Sequence, residues 1–426
     1  MIDTGSITVI DSVTENDTHI RALQQGTTDQ YDNIRSDIDN RLDVALPLGA
    51  FGAVKTVADK AVIQVDFRYG LHNLLVDTTT SGTGDISAAS SLATLSSGTT
   101  QGSSAEVKSR KFIKYSPGTG INVLFTAIFT PGVAGTYQYI GVGSPDSGLF
   151  FGYNGTEFGI MRRQNSTTDI WTAQSDWSID PMDGTGAYSQ TLDTTKGNVY
   201  RICFQWLGFG MITFFIEHSE LGSFVPVHRI AYSNKNTLTH MVNPSFPMLL
   251  HVSNPSSTSS VSLKTASFSA MLEGGQWQAG GLNFGFDNTK TISSLDMTNI
   301  CTLRNKTTFA SVNNYVPLII NTTSISTDGL RSVIVSIYKN ATISGTASWA
   351  DVSTSESVME VDVSMTTITT GVPIMTFTLA KTDSKVFSLQ SMDITVNPGD
   401  TFTLAAKLSA SGSSDVTVST SWIEYF

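Results

Sequence analysis

The chain has 426 residues and a mass of 45.7 kDa, enough for two or three domains that each bury a core. Charged residues make up only 14% of it and hydrophobic residues 40%, a composition that favours β structure over a helical enzyme or a coiled coil. The 36 acidic residues outnumber the 25 Lys and Arg and give a net charge of −11, so a nucleic-acid partner, which needs a broad basic surface, is not expected.

Residues 1–50 contain the one region with a helical pattern of hydrophobic residues. Spacings of three and four residues predict a single helix face, formed by Ile20, Leu23, Tyr31, Ile34, Ile38 and Leu42. The pattern breaks at Gly26 and Thr27, which argues against a continuous coiled coil. Two interpretations stay open: short helices that lie on their own domain, or a helical bundle that joins protomers or anchors the chain to a larger particle.

The first residues lack the basic and apolar regions of a secretory signal, and no apolar stretch approaches the roughly 20 residues of a membrane helix. We therefore expect a soluble product that is made in a cytoplasm and does not insert into membranes. The two cysteines, Cys203 and Cys301, are expected to be free thiols, because a large β chain can be stable without a disulfide.

Residues 51–275 have the pattern of a large antiparallel β domain. Hydrophobic residues begin to alternate at residues 62–67, and at residues 121–129 they occupy both faces, which predicts a central strand covered on both sides. Residues 78–104 are rich in Ser, Thr, Gly and Ala, and this composition predicts an exposed excursion without a core of its own.

Two β-hairpins are predicted within this domain. The pair Asn154-Gly155 lies between two strand-like runs and indicates a type I′ turn, because Asn and Gly tolerate the two positive φ angles of that turn. The second hairpin is indicated by residues that alternate up to Gly208 and back, namely Tyr200, Ile202, Phe204, Trp206, Ile212, Phe214 and Ile216.

Residues 276–426 repeat the pattern after a cluster of glycines that ends at Gly280 and Gly281. Alternation returns at residues 333–337 and 374–379, a strong turn occupies residues 397–400, and a last strand runs over residues 416–426. The predicted fold is mainly β, with two antiparallel β-sandwich (jelly-roll) domains over residues 51–275 and 276–426, preceded by the short helical segment.

A search for chemistry along the chain predicts no catalytic residue, no metal site and no cofactor. The nucleophile elbow and the glycine-rich phosphate loops are absent. The histidines are scattered, and although His218 and His228 could approach each other across a strand pair, a solvated or core-edge position is the commoner outcome. Asp180 and Asp183 could hold an ion in a loop, an alternative that we do not favour.

Glycoside hydrolysis is the natural enzyme hypothesis for a β-sandwich, and it needs two carboxylates that face one substrate. The nearest match to a strand with alternating acids is Glu360 and Asp362, but Met365 stands where a second glutamate would be needed. We interpret this segment as a strand with a solvated face and predict that the chain is not an enzyme.

Carbohydrate binding needs only an aromatic platform and a few polar groups. Trp171 and Trp177 lie in a polar stretch that resembles a loop, and Tyr188 follows. These three residues are the candidate glycan platform. The alternative is a loop that packs its tryptophans on the edge of the sandwich.

Five segments carry a resemblance to known proteins: TTQGSSAEVKSRK at 99–111, KYSPG at 114–118, FTAIF at 125–129, YRICFQWLGFG at 200–210 and GSFVPVHRI at 222–230. Together they resemble virion proteins of tailed bacteriophages, such as fibres, adaptors and head-associated proteins. This resemblance, to a concanavalin-like jelly roll, covers roughly residues 60–275. Residues 305–426, with NPGD at 397–400 and the closing Trp422, are similar to trimer-forming jelly rolls of the tumour-necrosis-factor or complement-like class.

The resemblance implies a structural role in a virus particle rather than a catalytic one. It implies a head fibre, collar or tail fibre, a homotrimer in contact with capsid, portal or collar proteins, and a possible contact with a host surface glycan. The expected location is the virion. The alternative function is a carbohydrate-binding module without catalysis, and a degradative enzyme is the third hypothesis.

Overall fold

The computed structural model describes residues 58–165, 168–274, 281–392 and 394–425, together with residues 35, 36, 42, 43 and 49. The chain divides into two units, Met1–Ala58 and Asp59–Phe426. In the first unit the described residues form one antiparallel pair, β1 (Arg35–Ser36) and β2 (Leu42–Asp43).

The predicted helical stripe falls mostly outside the described residues, which leaves Ile20, Leu23, Tyr31, Ile34 and Ile38 as predictions. Leu42 is described, and there the helical prediction is wrong. Leu42 lies in β2 opposite Ser36, and pairing with a neighbouring strand holds its backbone extended.

The second unit begins with a first lobe that contains the larger of two hydrophobic cores. Its strands are β3 (Asp59–Asp66), β4 (Val76–Ser81), β5 (Asp85–Ala89), β6 (Leu92–Ser96), β7 (Ser104–Ile113), β8 (Ile121–Phe129), β9 (Tyr137–Gly143), β10 (Gly148–Asn154), β11 (Glu157–Asn165), β12 (Thr168–Ala173), β13 (Asn198–Phe204), β14 (Ile212–Glu217), β15 (Phe224–Ile230), β16 (Phe246–Ser253), β17 (Ser262–Thr265) and β18 (Ser267–Glu273). A 3₁₀ turn, Gln174–Asp176, follows β12.

These strands form two antiparallel sheets that enclose the first core. The seven-stranded sheet has the order β12-β11-β10-β9-β16-β7-β4, and the nine-stranded sheet runs β15-β14-β13-β8-β17-β6-β5, with β18 and β3 branching from β8. Aromatic rings join the two layers: Phe151 of β10 lies 4.9 Å from Tyr200 of β13 and 5.4 Å from Phe214 of β14, measured between ring centroids. The alternation of buried and half-exposed residues along β8 and β13 follows from this packing.

The hairpin predicted at Asn154-Gly155 is confirmed, but its turn type is wrong. Asn154 pairs with Glu157 in the ladder between β10 and β11, so the turn itself consists of Gly155 and Thr156. Gly155 has a φ of 62° and neither Asn154 nor Thr156 has a positive φ, which is the pattern of a type II′ turn with Gly first. The second predicted hairpin, β13 with β14, is confirmed.

The prediction of an exposed excursion over residues 78–104 is also wrong. This stretch contains most of β4 and all of β5 and β6, and Ala93 and Leu95 of β6 are fully buried in the core. Serine and threonine tolerate extended backbone well, and two small or medium hydrophobic residues on one face suffice to join the strand to the sandwich.

The second lobe contains the other core. Its strands are β19 (Leu282–Ile292), β20 (Thr298–Asn305), β21 (Thr308–Phe309), β22 (Val312–Asn313), β23 (Leu318–Thr327), β24 (Val333–Lys339), β25 (Thr342–Ile343), β26 (Ala350–Asp351), β27 (Met359–Asp362), β28 (Ile368–Thr370), β29 (Pro373–Leu379), β30 (Ser384–Ser388), β31 (Thr395–Val396), β32 (Thr401–Leu408) and β33 (Ser414–Glu424). A 3₁₀ turn spans Gln390–Met392.

A five-stranded and a six-stranded antiparallel sheet provide most of this second core. Trp422 of β33 and Phe402 of β32 are its largest fully buried side chains. The carboxylate of Glu424 is fully buried as well, and it accepts hydrogen bonds from the Ser357 hydroxyl (2.6 Å), the Trp422 indole (2.8 Å) and the backbone N–H of Val358 (3.0 Å). A buried carboxylate is tolerated here because hydrogen bonds replace its lost hydration.

The mainly β class with antiparallel sheets is confirmed. Asp59–Phe426 is one compact unit, so the predicted boundary at residue 275 stays a prediction, and residues 275–280 lie outside the described ones. The side-chain amide of Asn313 donates to Asp146 at 2.8 Å, which links the lobes. Neither Cys203 nor Cys301 forms a disulfide. In the part of the chain that the structure describes, no helix is long and apolar enough to cross a membrane.

Candidate functional site

The three residues of the predicted glycan platform are not brought together. Trp177 follows the 3₁₀ turn Gln174–Asp176, which returns the chain to the first core, and only 5% of the residue is exposed. Its ring packs edge-on against Phe151 and Phe158, at centroid distances of 5.9 and 6.2 Å. The platform prediction is therefore wrong for Trp177, because neither face of its ring is available to a ligand.

Tyr188 is half-buried against the same core and belongs to a loop that is organised by Asp180. The fully buried carboxylate of Asp180 accepts from the backbone N–H groups of Met182 (2.7 Å) and Tyr188 (2.8 Å). Asp183 is occupied by Thr185, which donates through its hydroxyl at 2.6 Å. These aspartates hold the loop, and no group of three or more His, Cys, Asp or Glu that could bind a metal ion occurs among the described residues.

The two histidines that could have met across a strand pair have separate partners. His218 lies near the carbonyl of Tyr188, with Nε2 3.1 Å from that oxygen. His228 accepts from the backbone N–H of Ser178 at 3.1 Å, and burial lowers the pKa of its imidazole. Both are core-edge residues, as the commoner of the two interpretations predicts.

Trp171, the third candidate, lies on the outer face of the seven-stranded sheet. Strand register places it in one row across four strands with Met161, Phe150 and Gly141, and Leu249 continues the row on β16. Trp171 packs against a small apolar cluster formed by Tyr139, Phe150, Met161 and Leu249. This cluster is separate from the first core, on the other side of the sheet.

Glycines make room for the ring of Phe150 on this outer face. A Cβ atom at Gly143 or Gly148 would come within 2.3 Å of the Phe150 ring, so the ring occupies the space that side chains would need. Phe150 is fully buried in this position although it points away from the core. The outer face therefore has an aromatic floor instead of a solvated polar surface.

Arg163 covers this floor. Its guanidinium carbon lies 5.6 Å from the ring of Tyr139 and 5.7 Å from that of Phe150, and the group forms a bidentate pair with Asp169 at 2.8 and 3.1 Å. Burial disfavours the charge of Arg163, but the hydrogen bonds to Asp169 and Tyr139 outweigh it and raise the pKa. The guanidinium is therefore permanently charged and fixed in orientation.

A second pair lies beside Tyr139. The ring of His251 stacks on Tyr139 at 4.9 Å with an interplanar angle of 18°, and its Nδ1 lies 3.2 Å from a carboxylate oxygen of Glu106. Burial by itself would raise the pKa of Glu106. The hydrogen bond and the electrostatic effect of His251 lower this pKa by more than burial raises it, so the net shift is downward. Burial also raises the pKa of Tyr139, which keeps its hydroxyl protonated.

The result is a polar row, which we define as Asp169, Arg163, Tyr139, His251 and Glu106. The side chains at its ends are the most accessible, with 46% of Asp169 and 35% of Glu106 exposed, against 14% of Arg163 and 20% of His251. The row presents two carboxylates, a guanidinium and an imidazole. Each carboxylate is held in place by one of the other two groups, above the aromatic floor. Such an arrangement can bind a ligand that carries several hydroxyl groups.

Sequence reasoning missed every member of this row. The five residues come from β12, β11, β9, β16 and β7. Asp169 and Arg163 pair in a local hairpin, but His251 pairs with Tyr139 and Glu106 over long sequence separations. The repeated glycines of β9 and β10 were the available signal, because glycine within a strand often marks a close approach of another group.

Glu360 and Asp362, the nearest match to a hydrolase motif, lie in the six-stranded sheet of the second lobe. Glu360 accepts from Arg304 at 2.6 Å. Asp362 is fully buried and accepts from the Ser364 hydroxyl (2.6 Å) and the Met365 N–H (2.8 Å), so the predicted solvated face is wrong at this residue. Both carboxylates are engaged in holding strands and loops.

Solved structures with partial likeness to the chain include glycan-related proteins. A glycosyl hydrolase family protein from Mycobacterium fortuitum gives a TM-score of 0.34 at 9% identity, covering 48% of this chain and 100% of its own. Lectin I-B4 from Griffonia simplicifolia gives 0.32 at 11%, covering 49% and 99%. A structure described with endo-acting O-glycanases of the human gut microbiota gives 0.35 at 11%, covering 50% and 99%.

TM-scores at this level do not establish a shared fold, so the architecture described above rests on strand pairing and core packing. No protein-family model and no curated protein matches the sequence.

Proposed function

We propose that the chain binds carbohydrate through the polar row on the outer face of the seven-stranded sheet, and that it does so without catalysis. The observation that carries the proposal is the arrangement of two preformed hydrogen-bonded pairs, Arg163 with Asp169 and His251 with Glu106, on either side of Tyr139.

Sugars present ring hydroxyls that donate and accept hydrogen bonds. Planar groups such as carboxylates and guanidinium can engage two neighbouring hydroxyls at once, and groups that are already held in place lose little conformational entropy on binding. The half-buried ring of Trp171 lies at the edge strand of the same face and offers apolar surface next to the row.

The same geometry argues against glycoside hydrolysis. A hydrolase needs one carboxyl group with a raised pKa to donate a proton to the leaving group. The pKa of Glu106 is lowered, which makes this residue a poor proton donor. The carboxylate of Asp169 is held by Arg163 through two hydrogen bonds.

A glycan array with wild type, Trp171→Ala and Glu106→Gln tests the proposal. We expect wild type to bind at least one glycan, and we expect its affinity to fall about tenfold or more in both variants. Phe209→Ala removes a partly exposed ring from a different loop and is the matched control, expected to bind as wild type does. A flat array, or binding that neither variant weakens, contradicts the proposal.

The proposal that the chain does not cleave the glycans it binds has its own test. Incubation of the protein with the glycans that it binds is expected to leave their chain lengths unchanged in mass spectrometry. Shortened chains that disappear with Glu106→Gln would make the polar row a hydrolytic site.

The oligomeric virion role, with contacts to capsid, portal or collar proteins, stays a prediction from the sequence resemblance. We expect light scattering to report a homotrimer. A stable monomer under all conditions would contradict the oligomeric part, and it would leave the carbohydrate proposal untouched because the polar row lies within one chain.

A further inference from the structure

The nine-stranded sheet has a groove on its own outer face, at the point where it branches. The chain bends at Ala266, so that β17 pairs with β6 while β18 pairs with β3, and both β17 and β18 pair with β8. The groove has a volume of about 310 Å³. It lies across three strands and is lined by Gln64, Asp66, Leu124, Thr126, Ser267 and Ser269.

Side-chain length explains the groove. In the register, Ser267 of β18 lies opposite Asp66 of β3, and Ser269 lies opposite both Gln64 of β3 and Leu124 of β8. The middle strand therefore carries the shortest side chains and the flanking strands carry longer ones. The bottom is formed by backbone and serine hydroxyls, and the walls are an amide, a carboxylate and a leucine side chain.

An exposed aromatic residue is connected to the groove through a short chain of contacts. Asp66 is held by Arg68 through two hydrogen bonds, of 3.0 and 2.9 Å, and the guanidinium carbon of Arg68 lies 5.7 Å from the centroid of the Tyr69 ring. Tyr69 is 93% exposed, and no other large hydrophobic residue that the structure describes is as accessible. The chain of contacts from Asp66 through Arg68 to Tyr69 connects this ring to the groove.

The chemistry of the groove limits what it can bind. The one carboxylate is neutralised by Arg68, whose hydrogen bonds lower the pKa of Asp66, so the groove offers no net charge for a phosphate or a metal ion. The lining combines hydroxyl and amide groups with apolar surface from residues such as Leu124 and Val199. A neutral ligand with many hydroxyl groups and one apolar ring face matches these groups.

We propose that this groove is a second carbohydrate-binding site, in which Gln64, Ser267 and Ser269 bind sugar hydroxyls and the ring of Tyr69 stacks on a sugar face. It goes beyond the function proposed above because it uses the opposite sheet of the sandwich. Two sites on opposite faces allow one molecule to hold two glycan chains, or two parts of one chain, which raises the avidity without any new contact.

Glycan-array binding in a Trp171→Ala background tests this second site, because the polar row is weakened there. We expect at least one glycan to remain bound by Trp171→Ala, and we expect that signal to fall about tenfold or more when Tyr69→Ala is added. Tyr69→Phe keeps the ring and is the matched control, expected to retain binding. Ser269→Leu fills the groove at a half-exposed position and is expected to abolish the signal without touching the core.

The outcomes separate the two proposals. Loss of all binding in Trp171→Ala, or residual binding that survives both Tyr69→Ala and Ser269→Leu, overturns the second site. If Trp171→Ala and Glu106→Gln bind as wild type does while Tyr69→Ala abolishes binding, the groove is supported and the polar row is overturned. Near-ultraviolet circular dichroism of each variant confirms that the fold is retained.

Discussion

At the scale of single residues, Trp171 and Trp177 differ in what their rings contact although they are close in sequence. Trp177 is enclosed by Phe151 and Phe158 in the first core, whereas Trp171 is half-buried on the opposite side of the same sheet. The 3₁₀ turn between them changes the side of the sheet on which the chain runs. Their substitutions should therefore have different consequences.

We expect Trp177→Ala to lower the free energy of unfolding by about 3–5 kcal/mol, because it leaves a cavity among buried aromatic rings. Trp171→Ala should lower the free energy of unfolding by less, since the Trp171 ring is only partly buried. Its main effect should be weaker glycan binding. Denaturant unfolding followed by circular dichroism measures both. A Trp177→Ala protein with unchanged stability and lost glycan binding would show that its ring is accessible after all.

His240 is a second residue whose environment has a measurable consequence. It is fully buried, its ring nitrogens have no hydrogen-bond partner in good geometry, and burial together with the charge of Arg162 lowers its pKa to about 4. The unfolded chain therefore takes up a proton near pH 6.5 while the folded chain does not. Stability should fall as the pH drops from about 6.5 to about 4, by roughly 3 kcal/mol.

His240→Gln removes this titration and should make the free energy of unfolding less dependent on pH in that window. Denaturant unfolding at pH 7, 5.5 and 4.5 gives the slope for wild type and variant, and both proteins retain His228, whose lowered pKa acts in the same direction. Equal slopes would mean that His240 takes up its proton over the same pH range in the folded protein as in the unfolded chain. The comparison uses slopes, so a constant packing cost of the substitution does not affect it.

At the scale of elements, the aromatic floor depends on glycines in β9 and β10. Gly148→Ala would place a Cβ atom about where the Phe150 ring lies, since the ideal position is 2.3 Å from that ring. We expect a loss of about 1–3 kcal/mol in unfolding free energy from the forced shift of the ring. Glycan binding should weaken too, because Arg163 rests on Phe150.

Gly197→Ala is the matched control for this substitution. An added Cβ there meets nothing closer than 3.9 Å, so the stability should change by no more than about 0.5 kcal/mol. Unfolding curves of Gly148→Ala and Gly197→Ala, measured side by side, test whether the added Cβ at Gly148 lowers the stability. Equal stability of both variants would mean that the Phe150 ring moves aside at no cost.

At the scale of the whole molecule, the two cores draw on separate stretches of sequence. Every member of the first core lies between Ile63 and Leu272, and every member of the second lies between Ile292 and Trp422. Within the described ranges, no strand of the seven- or nine-stranded sheet comes from beyond Glu273. The hydrogen bonds that join the lobes include those from Asn313 to Asp146 and from Asn397 to the carbonyl of Arg110.

We therefore expect residues 59–274, expressed alone, to fold with a cooperative unfolding transition and native-like near-ultraviolet circular dichroism. The matched control is residues 59–250, which lacks β17 and β18 and should not unfold cooperatively. A fragment 59–274 without a cooperative transition would show that the second lobe is required for the first core.

The alternation of hydrophobic residues, together with the turn residues between strands, was enough to predict the β class, the antiparallel arrangement and the two hairpins. Side chains on a strand alternate between two faces whatever the fold. Composition misled at residues 78–104, where Ala93 and Leu95 are few but fully buried. The predicted turn type was wrong because Asn154 pairs with Glu157 in the ladder. The turn therefore consists of Gly155 and Thr156, one residue later than predicted.

The sequence by itself thus determined which segments are extended and which of their residues alternate. Tertiary structure alone decided which strands are neighbours. It therefore decided that Asp169, Arg163, Tyr139, His251 and Glu106 form one row and that β3, β18 and β8 enclose a groove. The physical reason is that alternation specifies the two faces of a strand but not its register with a distant partner. That register depends on the packing of the whole sandwich.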